Sequence, residues 1–113
     1  MSEEKKKDVV SSQSSRDLDA ELDALERKIS ELKVQYEQYF LDVITQAPDK
    51  LFDEVVKLVK SLQTAPFKNS VTRFRLKTLT TRFQTYKTYW EKVKKQREEG
   101  TYRRDVFKAK LRT

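Results

Sequence analysis

Residues 69–99 read NSVTRFRLKTLTTRFQTYKTYWEKVKKQREE, a basic and aromatic stretch free of glycine and proline. The spacing predicts one long helix. Leu76, Leu79, Phe83, Tyr86, Trp90 and Val93 recur at intervals of three and four, which places them on one face and marks that face as core. A second series, Val71, Phe74, Thr78, Thr81, Thr85 and Tyr89, follows the same period on another face and is half polar. It has two readings: threonine methyls packed on a second neighbour in a three-helix bundle, or an exposed docking face for a helix or for single-stranded nucleic acid. Asn69 or Ser70 can cap the helix start. Gly100, the only glycine of the chain, stands where a helix end takes a left-handed residue.

Moving toward the N-terminus, Pro48 and Pro66 are the only prolines and bracket a second helix over about 48–63. Leu51, Val55, Leu58 and Leu62 form one stripe of it, and Phe52, Val56 and Val59 the adjacent one. So wide an apolar arc on a short helix predicts a central place in a bundle. Further back, Leu18, Leu22, Leu25, Ile29, Leu32, Tyr36, Tyr39 and Val43 are spaced 4-3-4-3-4-3-4, a heptad series that predicts a first helix over 15–47. Ser14 or Ser15 is the expected cap, with Asp17, Asp19, Glu21 and Asp23 beside the positive helix end. Residues 1–14 are polar and Ser-rich, with Val9 and Val10 as their apolar content. They are expected to form a disordered tail.

Beyond Gly100, Thr101 can cap a short fourth helix over 101–112, with Tyr102, Val106 and Ala109 on one face. The expected fold is therefore all-α: a three-helix bundle or coiled coil with a long N-terminal helix, a short middle helix, a long basic third helix and a short C-terminal helix, in one domain over 15–113. At 113 residues the chain has room for one modest core.

Helix lengths carry a further expectation. A first helix of about 30 residues spans about 45 Å, and a second of half that length, joined by a short loop, covers only its C-terminal half. The stripe Leu18, Leu22, Leu25, Ile29 and Leu32 is then left without a partner in its own chain, as a protruding coiled-coil segment over 15–33. An exposed leucine row is costly, which predicts an oligomerisation site. A parallel homodimer would set Glu21 against Glu26 and Lys28 against Lys33. An antiparallel pair centred near Leu25 sets Asp19 near Lys33 and Glu21 near Lys28. The expected partner is another copy in an antiparallel homo-oligomer, or another protein in a heterotypic coiled coil.

Charge is unevenly placed along the chain, whose net value is +7. Residues 1–65 hold 10 Lys/Arg against 14 Asp/Glu, and residues 66–113 hold 15 against 4. Attraction between an acidic first half and a basic second half absorbs part of this excess. The remainder predicts contact with an anionic partner through Arg73, Arg75, Lys92, Lys94, Lys95, Arg103, Arg104 and Lys108. Nucleic acid is the rival partner, since Phe74, Tyr86, Tyr89 and Trp90 are interleaved with the cations. Against it, the basic residues surround most of the helix, and Tyr86 and Trp90 belong to the core stripe.

Cysteine and histidine are both absent. That removes thiolate nucleophiles, imidazole bases, disulfides and Cys/His zinc sites. A single glycine cannot build a phosphate-binding loop, and no EF-hand spacing occurs. Asp53 and Glu54 read as first-turn partners of the second helix. The chain is expected to be no enzyme, to take no cofactor or metal, and to work as a protein-interaction or scaffolding module, with sequence-independent nucleic-acid binding as the alternative. No apolar run has membrane-spanning length and the start lacks the apolar centre of a secretory signal, so a cytoplasmic setting without membrane contact is expected.

The run Asn69, Arg73-Phe74-Arg75, Thr78-Leu79, Arg82, Thr85-Tyr86, Tyr89-Trp90, Gly100-Thr101-Tyr102 and Arg104-Asp105-Val106 resembles that of short uncharacterised bacterial helical proteins with a leading coiled-coil segment. The resemblance covers roughly the last two thirds of the chain. It implies a bacterial cytoplasmic protein and brings no activity, ligand or catalytic residue.

Overall fold

The computed structural model describes residues 16–101 and Lys110. The expected tail over 1–14 and nearly all of the expected helix over 101–112 lie outside these residues. The described residues are all-helical, without strands: α1 is Leu18–Phe40, α2 is Asp49–Gln63 and α3 is Ser70–Glu98. Two compact units divide the chain, Met1–Thr80 and Thr81–Thr113. The first holds α1, α2 and the start of α3; the second takes in α3 from Thr81 onward.

α1 starts later and stops earlier than the heptad series predicts. Its cap is Asp17, not Ser14 or Ser15: Asp17 Oδ1 accepts the Ala20 amide at 3.0 Å, satisfying one of the donors that every helix start leaves open. At the other end the Val43 amide donates to the Gln38 carbonyl at 2.8 Å and the Asp42 amide to Tyr39 at 3.1 Å, while Asp42 takes φ 63°. This pair of bonds around a left-handed residue is a Schellman turn. α1 is therefore 23 residues long, about 34 Å. Val43, the last member of the expected series, lies outside the helix and is exposed. The buried positions run through Leu22, Leu25, Ile29, Leu32, Tyr36 and Phe40, so the seam finishes on Phe40 and leaves Tyr39 half-buried.

Because α1 stops at Phe40, residues 41–48 can bring the chain back along it before α2 begins. Lys28 Nζ donates to Glu54 Oε1 at 3.0 Å, and Arg16 Nη2 donates to Ser61 Oγ at 2.8 Å. Chain position falls on α1 as it rises on α2, so the two helices are antiparallel, and α2 lies beside the N-terminal half of α1. This corrects the length argument, which put α2 against the C-terminal half. Its apolar arc is used as expected: Val55, Val59 and Leu62 are buried, and Leu51, Phe52, Val56 and Leu58 are half-buried.

The start of α3 closes the first unit. Asn69 Oδ1 accepts the Val71 amide at 2.7 Å and caps it. Residues 66–69 and Thr72 line a groove together with residues 16–19 of the α1 start. Farther along, Arg75 Nη2 donates to Asp23 Oδ1 at 2.7 Å and to Glu26 Oε1 at 2.9 Å. The two helices thus run parallel through this unit, with Leu76 and Leu79 buried.

The expected exposed leucine row is overturned by this packing. Leu22, Leu25, Ile29 and Leu32 are each 0% exposed within a single chain, and Leu18 is half-buried. The stripe is the core of the first unit, and the case for a second chain on it falls away.

In the second unit Phe83, Trp90 and Val93 are buried as the core stripe requires, with Tyr86 half-buried. The Trp90 ring meets Phe83 edge-on at 6.5 Å and Tyr86 at 5.8 Å between centroids, spacings at which aromatic pairs attract. α3 ends in a second Schellman turn: the Thr101 amide donates to Gln96 at 2.8 Å and the Gly100 amide to Arg97 at 3.1 Å, with Gly100 at φ 73°. Here the glycine signal read from the sequence holds.

Two substitutions test the α1 packing and its terminal turn. Leu25→Ala should cost about 2–5 kcal/mol in urea unfolding, the loss typical of a buried leucine that leaves a cavity. Asp42→Gly should instead stabilise by about 1 kcal/mol, since glycine enters the left-handed region without a Cβ penalty.

Candidate docking surface

α3 is a helix with a buried stripe and an exposed one. On the exposed side, Val71 is 73% and Phe74 68% accessible, and Thr78 is exposed; all three belong to the first unit. In the second unit Thr81 and Thr85 are exposed, and Tyr89 is 55% accessible. Each residue expected to form a partner-docking face, namely Phe74, Thr78, Thr81, Thr85 and Tyr89, is therefore open to solvent. The other reading of that face, threonines packed on a neighbour inside the bundle, does not hold for these residues.

The threonines are not all free donors. Thr85 Oγ1 donates to the Thr81 carbonyl one turn back, at 3.0 Å. This bond competes weakly with the helix's own ladder and leaves the hydroxyl satisfied without solvent. Burying Thr85 beneath a partner would strand no donor.

The expected anionic-partner contacts divide by position. Arg75 is largely engaged within the fold: Asp23 first and Glu26 second, through hydrogen bonds, hold its guanidinium above the ordinary arginine value. Its charge is permanent, and its first task is to tie α3 to α1. Arg73 is exposed, and its Nη2 donates to the Phe67 carbonyl at 2.8 Å, bracing the turn before α3. Lys92 and Lys95 are exposed and Lys94 is half-buried. Arg103, Arg104 and Lys108 lie outside the described residues. Lys77, one of the cations interleaved with the aromatic residues in the nucleic-acid reading, is exposed and follows Phe74 by three residues on the same helix.

Elsewhere in the first unit, charge serves the packing. Arg16 donates to Glu21 through Nε at 2.7 Å and Nη2 at 2.6 Å, and this two-pronged bond raises its pKa, the hydrogen bond being the main cause. Glu54 is held below the usual carboxylate range by its hydrogen bond from Lys28, aided by that ammonium's charge. A groove beside this pair is lined by Glu31, Gln35 and Tyr39 of α1 and by residues 45–51. Among the described residues no group of three or more carboxylates is placed to hold a metal ion, and no helix is long and apolar enough to cross a membrane.

The chain matches no protein-family model, no curated protein and no solved structure.

The Glu54 shift fixes the sign of one pH effect. A carboxylate whose pKa is lower folded than unfolded contributes stability above its unfolded pKa, and that contribution is lost as pH falls through the folded value. Wild type should therefore lose more stability than Lys28→Met between neutral pH and the acid side of the ordinary glutamate range, measured by urea midpoints at each pH. Equal slopes for the two proteins would show that the pair does not couple to folding.

Proposed function

We propose that the protein is a non-enzymatic interaction or scaffolding module that docks another protein on the α3 face of Phe74, Thr78, Thr81, Thr85 and Tyr89. The observation that carries the reading is Phe74, a large apolar side chain 68% exposed on a helix whose other stripe is already committed to the core. Single exposed apolar residues are ordinary on a protein surface. A phenylalanine in helical phase with Val71, the three threonines and Tyr89 is a stripe, the form in which helices recognise helices. The antiparallel homodimer through the α1 leucines is not part of this proposal, because Leu22, Leu25, Ile29 and Leu32 are buried.

A second reading is sequence-independent binding of single-stranded nucleic acid. It is supported by the exposure of Lys77, Lys92 and Lys95 on the helix that also exposes Phe74 and Tyr89, since cations and aromatic rings are the two groups such binding uses.

The two readings part in experiment. In a pull-down from cells, the Thr81→Glu/Thr85→Glu variant should lose the protein partner that wild type retains, while its circular dichroism stays helical. Wild-type retention by the folded double variant would remove the docking face. Tight retention on single-stranded DNA, weakening steeply as salt rises through counterion release, would establish the second reading instead.

A further inference from the structure

We infer that the occupant of the α3 face is an acidic amphipathic helix of a second protein; this rests on the docking reading above and adds the chemistry of the partner. The stripe is built as a helix seam. Val71, Phe74, Thr78, Thr81 and Thr85 are separated by three, four, three and four residues, the period at which two helices stay in contact over several turns. Threonines following a phenylalanine and a valine make the seam low, so a partner with larger aliphatic residues fills it. The Thr85 hydroxyl, already bonded to the Thr81 carbonyl, can be covered without cost to a donor.

Charge selects the partner. α3 carries nine Lys/Arg against Glu91 and Glu98 alone. With the seam positions taken as a and d, the flanking e and g positions include Lys77 and Arg82, the places where charge decides which helices pair, while Arg75 is already held by Asp23 and Glu26. A second copy would bring like charges together, whereas a helix with carboxylates beside its apolar stripe would meet opposite ones. The fold already contains one such pairing. α1 has six Asp/Glu against three Lys/Arg, runs parallel to the start of α3, and is held there by Arg75 between Asp23 and Glu26. Docking on the outer stripe repeats on one side of α3 what α1 does on another. Nucleic acid fits the seam less well, because its two aromatic residues, Phe74 and Tyr89, are separated by Thr78, Thr81 and Thr85, which give bases no platform.

The test is fluorescence anisotropy of the full chain with designed peptides of about four heptads, leucine at a and d and glutamate at e and g. The controls are a version with glutamine for glutamate, a scrambled version of the acidic peptide, and oligodeoxythymidine. The acidic helix should bind, and the neutral and scrambled peptides should bind about tenfold or more weakly. Phe74→Glu should weaken the acidic peptide by a similar factor with circular dichroism unchanged, and Thr81→Glu serves as the second variant should Phe74→Glu disturb the fold. Equal binding of neutral and acidic peptides, both lost in Phe74→Glu, would overturn the inference and leave the docking face standing. Absence of acidic-peptide binding, or equal binding of the scrambled peptide, would overturn the inference. Binding of the acidic peptide that neither variant weakens would overturn the docking face as well. Oligodeoxythymidine bound more tightly than the acidic peptide, and lost in Phe74→Glu, would replace both with the nucleic-acid reading.

Discussion

The turn at Asp42 fixes the geometry of the first unit. By stopping α1 at Phe40 it frees residues 41–48 to double back, and the return brings Glu54 opposite Lys28 and Ser61 opposite Arg16. Had the helix continued to residue 47, about two further turns, α2 would have started higher and left Leu22 and Leu25 uncovered. Two main-chain hydrogen bonds at Val43 and Asp42 thus decide whether the leucines of α1 form a core or an interface. Hydrophobic burial supplies the driving force, roughly 1.5–3 kcal/mol per leucine-sized side chain. The turn decides which side chains receive it.

Electrostatics acts on a smaller scale, through direction more than strength. Each ion pair of the first unit is partly exposed, and solvent screening leaves such pairs little net weight in stability. What they add is register: Lys28 with Glu54 and Arg75 with Asp23 and Glu26 hold three helices at defined heights, while the apolar stripes alone would tolerate sliding. α1, with its excess of carboxylates, takes up only part of the positive charge of α3. Lys77, Lys92 and Lys95 of α3 remain exposed.

The sequence by itself determined the all-helical character, the presence and order of three helices among the described residues, and the two stripes of α3, because a period of three to four residues is a local property that any helix must display. It determined the C-terminal Schellman turn as well, since Gly100 announces a left-handed residue by having no Cβ. The exposed stripe of α3 was legible for the same reason, as a set of positions: Phe74, Thr78, Thr81, Thr85 and Tyr89 share a phase. Their exposure was not legible, because a half-polar stripe suits a buried neighbour as well as water.

Tertiary structure alone decided where α1 ends and what covers it. Asp42 in the left-handed region gives no sequence signal of the kind glycine does, and Val43 continues the heptad past the true end of the helix. A helix over 15–47 would be longer than α1 by about one turn at its start and about two at its end, which sets α2 against the wrong half of α1 and makes an interface of leucines that the fold uses as core. Tertiary structure also divided the cations, tying Arg75 to two carboxylates some fifty residues away in the chain. Periodicity assigns a residue to a face. Only the path of the chain determines what that face meets.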